Sequence, residues 1–392
     1  MKFKIPLAWL QLAQQRGRFL IAIAGMAFIV LLMFMQLGFQ DALYSSATSV
    51  HQRLRGDIFL VSNQYQALTS SQYFPRYRLF QTLGINGVDS VSPLYLQFAK
   101  FKNPITREKF PIYVIGFEPG RSVINLAEVE QNIDKLKISD MALFDRDSRS
   151  FFGPIAKNFK EGENEPIVEV FPFNDLIGYR VRIGGLFSIG PSFGVDGNLL
   201  VSDSTFMRIF PNSRPSDMID LGAINLKPGA DPEQVLNSLK ASFSNDIKVF
   251  TKKQFIEYEK NYWSQRTPIG FILQLMLTMG AIVGVVIVYQ ILYSNISSQF
   301  IAYATLKAIG YENMYLLNVV FQQALILAIL GFIPGFALSL GLYKFAGEAT
   351  NLPIVMTLIN ALLVLVATVC MCLISGALAI KKLRAADPAD IF

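Results

Sequence analysis

FLIAIAGMAFIVLLMFMQLGF, residues 19–39, runs for 21 positions without a charged side chain. A helix needs about 20 mostly apolar residues, at about 1.5 Å each, to cross a hydrocarbon core of about 30 Å. This stretch has that length. Three further stretches meet the same condition: 269–292 (IGFILQLMLTMGAIVGVVIVYQIL), 314–343, interrupted at Gly331, Pro334 and Gly335, and 355–380. The first is about twice as long as the 7–15-residue apolar core of a secretory leader, and no A-x-A site follows it, so we expect a retained anchor. Between the first and second stretches lie 229 residues, enough for one or two folded domains. The expected fold is an α-helical membrane protein with four transmembrane helices, arranged one plus three. A large α+β domain, outside the membrane, is expected between helices one and two. The expected domains are 1–39 (interfacial helix and first span), 40–268 (the inserted domain) and 269–392 (three spans, a cytoplasmic coupling helix and a short tail).

Composition agrees. Of 392 residues 52% are hydrophobic and 16% charged, whereas soluble domains carry about 25% charged residues. Two cysteines and one histidine exclude a disulfide scaffold, a Cys/His zinc site and most histidine-based catalysis. The net charge of +6 is unevenly placed. The segment before the first span, the 293–313 connection and the tail together hold eight basic and three acidic residues, and 40–268 holds 26 basic and 25 acidic. By the positive-inside rule both termini are expected in the cytoplasm and 40–268 outside. The basic balance is then a topology signal and not a nucleic-acid footprint.

Along the chain, 5–15 reads as an interfacial amphipathic helix with Ile5, Trp9 and Leu12 on one face. Residues 41–55 read as a helical stalk continuing the first span, with His51 as a polar surface residue. Strands are expected at 57–62, 110–117, 179–187 and 199–202, and helices at 204–210 and 231–243. Residues 219–227, the helix at 231 and 247–250 form a strand–helix–strand unit. A helix over 252–262 leads into the second span. Lys157 to Pro166 reads as a solvated loop.

No P-loop, G-x-S-x-G or H-E-x-x-H motif occurs. The acidic pairs Glu257/Glu259 and Asp145/Asp147 have no accompanying histidine or pocket signal, so no catalytic role is assigned. The central parts of the spans lack ionisable residues, which argues against a proton- or ion-coupled carrier. Their amides, Gln36, Gln274, Gln290, Asn318, Gln322, Gln323 and Asn360, are expected to bond between helices. Cys370 and Cys372 lie two apart on a helix and are expected to be small packing residues, neither a disulfide nor a metal pair.

Several stretches carry a family resemblance: TLKAIGY (305–311), KLRAADPADIF (382–392), EKNYWSQRTPIGF (259–271), GYRVRIGGLFSIGPSFGVDGNLLVSD (178–203), VVFQQALILAILGFIPGFALSLGLY (319–343) and MCLISGALAIKKL (371–383). Together they resemble permease subunits of ABC exporters of the MacB/FtsX/LolC class, the type VII superfamily, and most of all its cyanobacterial DevC branch. The resemblance implies a homodimeric, non-catalytic permease in the bacterial inner membrane, with the large α+β domain 40–268 in the periplasm. Its partners would be a DevA-like cytoplasmic ATPase, a DevB-like periplasmic adaptor and, through the adaptor, a TolC-like outer-membrane channel. No cofactor is implied in this chain, because ATP and Mg would be bound by the ATPase. The cargo would be a glycolipid or another envelope component. The family contacts its ATPase through the connection after the second span, which carries that role to Thr305, Leu306, Lys307, Ala308, Ile309, Gly310 and Tyr311. Relatives place an acid five positions before the lysine, and this chain has Ala302 there. The Asp387–Asp390 segment reads either as a solvated tail or as a helix stop beside the ATPase. Two other readings stay open: an FtsX-like transmitter controlling a periplasmic wall hydrolase, and a membrane receptor without an ATPase.

Overall fold

The computed structural model describes residues 7–384 other than 15, 71, 121, 161, 164, 174, 244, 245, 299–304, 306–308, 311 and 312. The chain divides into two compact units. One comprises Met1–Ala42, Pro268–Thr350 and Ile354–Phe392, and the other Leu43–Thr267 with Asn351–Pro353.

The first unit is helical. Helix α1 (Leu7–Gln14) precedes α2 (Arg16–Ala47). The amphipathic reading of α1 needs one change. Leu12 is buried with Ala8, while Trp9 is 41% exposed and meets Phe19 edge-on. Positions 8 and 12 stack at i, i+4, and position 9 is turned about 100° away. Among the described residues four helices are long and apolar enough to cross a membrane: Arg16–Ala47, Pro268–Ser298, Leu317–Thr350 and Leu358–Ala379. Glycines let them approach. A Cβ on Gly331 would lie 2.3 Å from the Met26 Cβ, and one on Gly335 would lie 2.7 Å from the Ala27 carbonyl oxygen. The Gly331–Pro334–Gly335 interruption is therefore a docking surface for α2, the small-xxx-small device of membrane helices, inside an unbroken helix Asn313–Thr350. Gly38 makes room for the ring of Tyr343, whose hydroxyl donates to the Phe34 carbonyl. Among the amides, Gln36 donates to the Leu273 carbonyl at 3.2 Å and Asn360 to Asp41 at 2.6 Å. Asn318 and Gln322 instead share an exposed face.

The second unit is built on a nine-stranded mixed sheet. Its strands are β1 (Ile58–Ser62), β3 (Val88–Lys102), β4 (Lys109–Phe117), β5 (Met141–Asp145), β6 (Ile167–Pro172), β7 (Tyr179–Phe187), β8 (Asn198–Ser202), β10 (Leu221–Leu226) and β11 (Ile247–Thr251). β2 (Phe74–Pro75) and β9 (Met218–Ile219) pair separately. The order is β11-β1-β10-β3-β4-β8-β5-β7-β6, and β6 pairs back onto β3. Six strands thus close on themselves, with β10, β1 and β11 as an open wing. The 15-residue β3 makes this possible. Residues 88–94 of one of its edges pair with β10, and residues 99–102 of the same edge pair with β6. Phe101 of β3 and Phe144 of β5, three strands apart, have ring centroids 5.7 Å apart, so they meet inside the closed section. Helix α7 (Asp203–Ile209) sets Phe206 over Gly116, where a Cβ would lie 2.7 Å from it.

Odd positions of β3 (Tyr95, Ala99, Phe101) face one core and even positions (Leu94, Leu96) the other, the period of two that a pleat imposes. On the wing, the first core is covered by α4 (Arg76–Gln81) and α8 (Pro232–Ser242). α8 starts where Asp231 caps the Glu233 N–H at 3.1 Å. The second core is covered by α3 (Ser49–Arg53) and α9 (Lys252–Asn261), the latter opened by a Thr251/Gln254 capping box. α5 (Ala127–Gln131) and α6 (Ile155–Asn158) complete the unit, and α10 (Pro268–Ser298), α11 (Asn313–Thr350) and α12 (Leu358–Arg384) the first one. The expected stalk helix over 41–55 is broken at Thr48, and β3, β5 and β6 were not legible beforehand.

Candidate functional site

The expected coupling residues fall on the connection between α10 and α11. Leu306, Lys307, Ala308 and Tyr311, with Ala302 and the tail beyond Arg384, lie outside the described residues. Thr305, Ile309 and Gly310 are described. The Ile309 N–H donates to the Thr305 carbonyl at 3.0 Å. Gly310 follows at φ +98°, a left-handed conformation open to glycine and costly for other residues. Ile309 is 70% exposed. An apolar side chain is thus presented next to that glycine.

A second cluster sits in the sheet unit, where the chain enters from α2 and leaves toward α10. Glu259 of α9 is its hub and is 1% exposed. Its carboxylate accepts from Tyr65 Oη at 3.0 Å, from the Leu68 N–H at 3.0 Å and from Trp263 Nε1 at 3.0 Å. His51 of α3 brings Nε2 to 3.4 Å from both Glu259 Oε2 and Tyr65 Oη. A buried carboxylate requires this density of donors. Burial, then the neighbouring Glu259, push the Tyr65 phenol well above its ordinary value, so it stays a donor. The ring of Phe255 fixes the geometry from behind, 4.5 Å from His51 and 5.3 Å from Phe59.

This corrects the reading of His51 as a surface residue: it is 0% exposed. Helix α3 turns its Ser49–Val50–His51 side into the second core. Glu259 also went unrecognised. The available signal was its spacing: it lies four residues after Phe255 and four before Trp263, on the buried side of α9. From α9 the chain passes through a π-turn, Tyr262–Arg266, where Thr267 Oγ1 donates to the Trp263 carbonyl at 2.7 Å, and then into α10. The node therefore ties the segment that follows the first span to the segment that precedes the second.

Asp145 is another buried carboxylate with several donors. It accepts from the N–H groups of Asp147, Ile189 and Gly190 and from Asn198 Nδ2. Burial raises its pKa, and these four donors oppose the rise. The arrangement pins the 189–191 loop. Arg214 and Asp220, both buried, pair with each other, and Asp220 also accepts from the Leu96 N–H at 2.7 Å. Among the described residues no group of three or more His, Cys, Asp or Glu is placed to hold a metal ion.

Residues 275–388 match the family described as FtsX-like permease C-terminal. The matched segment runs from within α10 through the connection, α11 and α12 to residue 388, beyond the described residues. No curated protein matches the chain. Among solved structures, the chain is similar to the periplasmic region of MacB from Actinobacillus actinomycetemcomitans. The identity is 11%, the match covers 53% of this chain and 94% of that one, and the TM-score is 0.34. It is also similar to the extracellular domain of the ABC-type transporter YknZ from Gram-positive bacteria. There the identity is 12%, the match covers 50% of this chain and 99% of that one, and the TM-score is 0.31.

Proposed function

We propose that this chain is the permease subunit of an ABC exporter of the type VII class, of DevC-like character. The observation that carries the reading is the family match over residues 275–388, which spans the connection expected to meet an ATPase. An ATPase of the DevA kind docks on 305–311 from the cytoplasm, holding the ATP and Mg. Hydrolysis shifts α10. That displacement enters the sheet unit through the π-turn and α9, and the Glu259–His51–Tyr65 node shares it with the segment leaving the first span. The sheet unit, on the periplasmic side, works on a DevB-like adaptor joined to a TolC-like channel. Two copies of the chain act together, both termini lie in the cytoplasm, and the cargo is a glycolipid or another envelope component. This chain contributes motion and no bond-breaking step. Charge-poor spans support a route that avoids the helix interiors.

The test is to express the tagged full chain in its native membrane and identify what co-purifies. Recovery of an ABC ATPase together with a periplasmic adaptor supports the reading, and Lys307→Glu then lowers ATPase recovery. Recovery of a wall hydrolase without an adaptor overturns export in favour of signal transmission. Recovery of no ATPase overturns both.

A further inference from the structure

β11 is the last strand of the nine-stranded sheet, and the export reading leaves its free edge unused. The register shows which groups that edge offers. The Asn63 N–H donates to the Asp246 carbonyl and the Lys252 N–H to the Asp57 carbonyl, both at 3.0 Å. The β1–β11 register sets each of these pairs directly opposite. In an antiparallel ladder, hydrogen-bonded and non-hydrogen-bonded pairs alternate. Lys248 and Phe250 therefore bond to β1, while Ile247, Val249 and Thr251 turn their N–H and C=O groups outward. Thr251 gives its N–H to Gln254 Oε1 at 3.3 Å. The outward groups of Ile247 and Val249 meet no hydrogen-bond partner among the described residues.

This edge is the floor of a groove of about 620 Å³. Lys240 and Phe243, from α8 and its C-cap, wall it on the side of the first core. Glu257 and Tyr258 of α9 wall it on the side of the second. A lysine commonly guards a free strand edge. Lys248 is drawn aside instead, its ammonium donating to the Tyr65 carbonyl and to Tyr258 Oη, both at 3.1 Å. What remains is a row of unpaired peptide groups in a slot with a helix on either side. An extended backbone is the partner that satisfies such a row. A second copy's sheet edge would carry its own α8 and α9 into these helices, so a single isolated strand fits the slot.

The walls also specify its side chains, which alternate between the two faces of a strand. One set meets Phe243 and Lys240, and the other Phe250, Tyr258 and Glu257. Lys240 and Glu257 are exposed, and neither has an ion-pair partner among the described residues. We infer that the β11 edge binds an extended peptide segment of a partner protein, apolar on both faces, with a carboxylate toward Lys240 and a cation toward Glu257. The slot lies wholly within the sheet unit, and the inference does not rest on the export reading.

The full chain in detergent is titrated with a dye-labelled synthetic peptide, Val-Lys-Val-Tyr-Glu-Tyr-Val, and with its fully N-methylated form. Saturable binding of the first is expected, about tenfold or more tighter than of the second, the scale of two lost backbone hydrogen bonds. Val249→Pro removes one outward N–H and no bond to β1, and should weaken the first peptide about fivefold. Lys240→Glu, at an exposed position of α8, should weaken it about two- to fivefold and tests the slot without touching the strand. Lys157→Glu, outside the groove, should leave binding unchanged. Absence of saturable binding, equal binding of the two peptides, or undiminished binding by Val249→Pro and Lys240→Glu overturns the proposal. A halved mass of the Val249→Pro chain by light scattering gives the slot to a second copy and overturns it as well.

Discussion

Glu259 is the hub of one buried polar cluster of the second unit. Replacing it by alanine strands Tyr65 Oη, the Leu68 N–H and Trp263 Nε1 in an apolar core. We expect Glu259→Ala to lower the stability of the full chain by about 3–5 kcal/mol, and Tyr65→Phe by about 1 kcal/mol. Denaturant unfolding followed by Trp263 fluorescence, in a Trp9→Phe background, measures both. A cost near zero for Glu259→Ala would show that the node bears no load. The phenol adds a pH dependence. Its folded pKa is raised, so its stabilisation is complete below about pH 10, the unfolded value, and is lost as pH rises through the folded value. Tyr65→Phe removes that alkaline loss.

At the scale of elements, the closing seam of the sheet carries a titratable pair. Lys102 of β3 and Glu169 of β6 are register partners, 2.6 Å apart. Lys102, assisted by Arg180, holds the Glu169 carboxyl below its ordinary value. The contribution is present above about pH 4.3, the unfolded value, and is lost as pH falls through the folded one. Unfolding midpoints between pH 5 and pH 3 should fall more steeply for the native chain than for Glu169→Gln. Among the helices, Gly331→Leu and Gly335→Leu each place a side chain where α2 now lies. Each should cost about 1–3 kcal/mol through overpacking, read as a lower thermal midpoint in detergent. Gly341→Leu on the same helix meets nothing within 4 Å and should be neutral.

Over the whole molecule, sequence and structure agree where one physical property decides the answer. The four long apolar helices were legible because 20 uncharged residues have few other uses in water, and α8 because Asp231-Pro232-Glu233 is a strong helix start. β5, MALFD, is buried at every position. It therefore shows none of the alternation that marks a half-exposed strand. The closure of β3 on β6 joins residues 67 positions apart, Lys102 and Glu169, which no local pattern reports. His51 and Glu259 were illegible for a related reason. A polar side chain is buried only when partners arrive from elsewhere, here from Tyr65, Leu68 and Trp263. At the expected coupling segment the structure describes only the Ile309-to-Thr305 backbone hydrogen bond and Gly310 at a positive φ. The proposed ATPase docking there depends on a partner's surface, which no pattern in this chain encodes.

That docking is the central claim, and a photo-crosslinking amino acid in place of the exposed Ile309 tests it most directly. After irradiation of native membranes, the adducts are identified by mass spectrometry, with the same probe at the exposed Ile105 of the sheet unit as control. An ABC ATPase adduct is expected from position 309 and none from position 105. An ATPase adduct from 105, or only lipid adducts from 309, would contradict it.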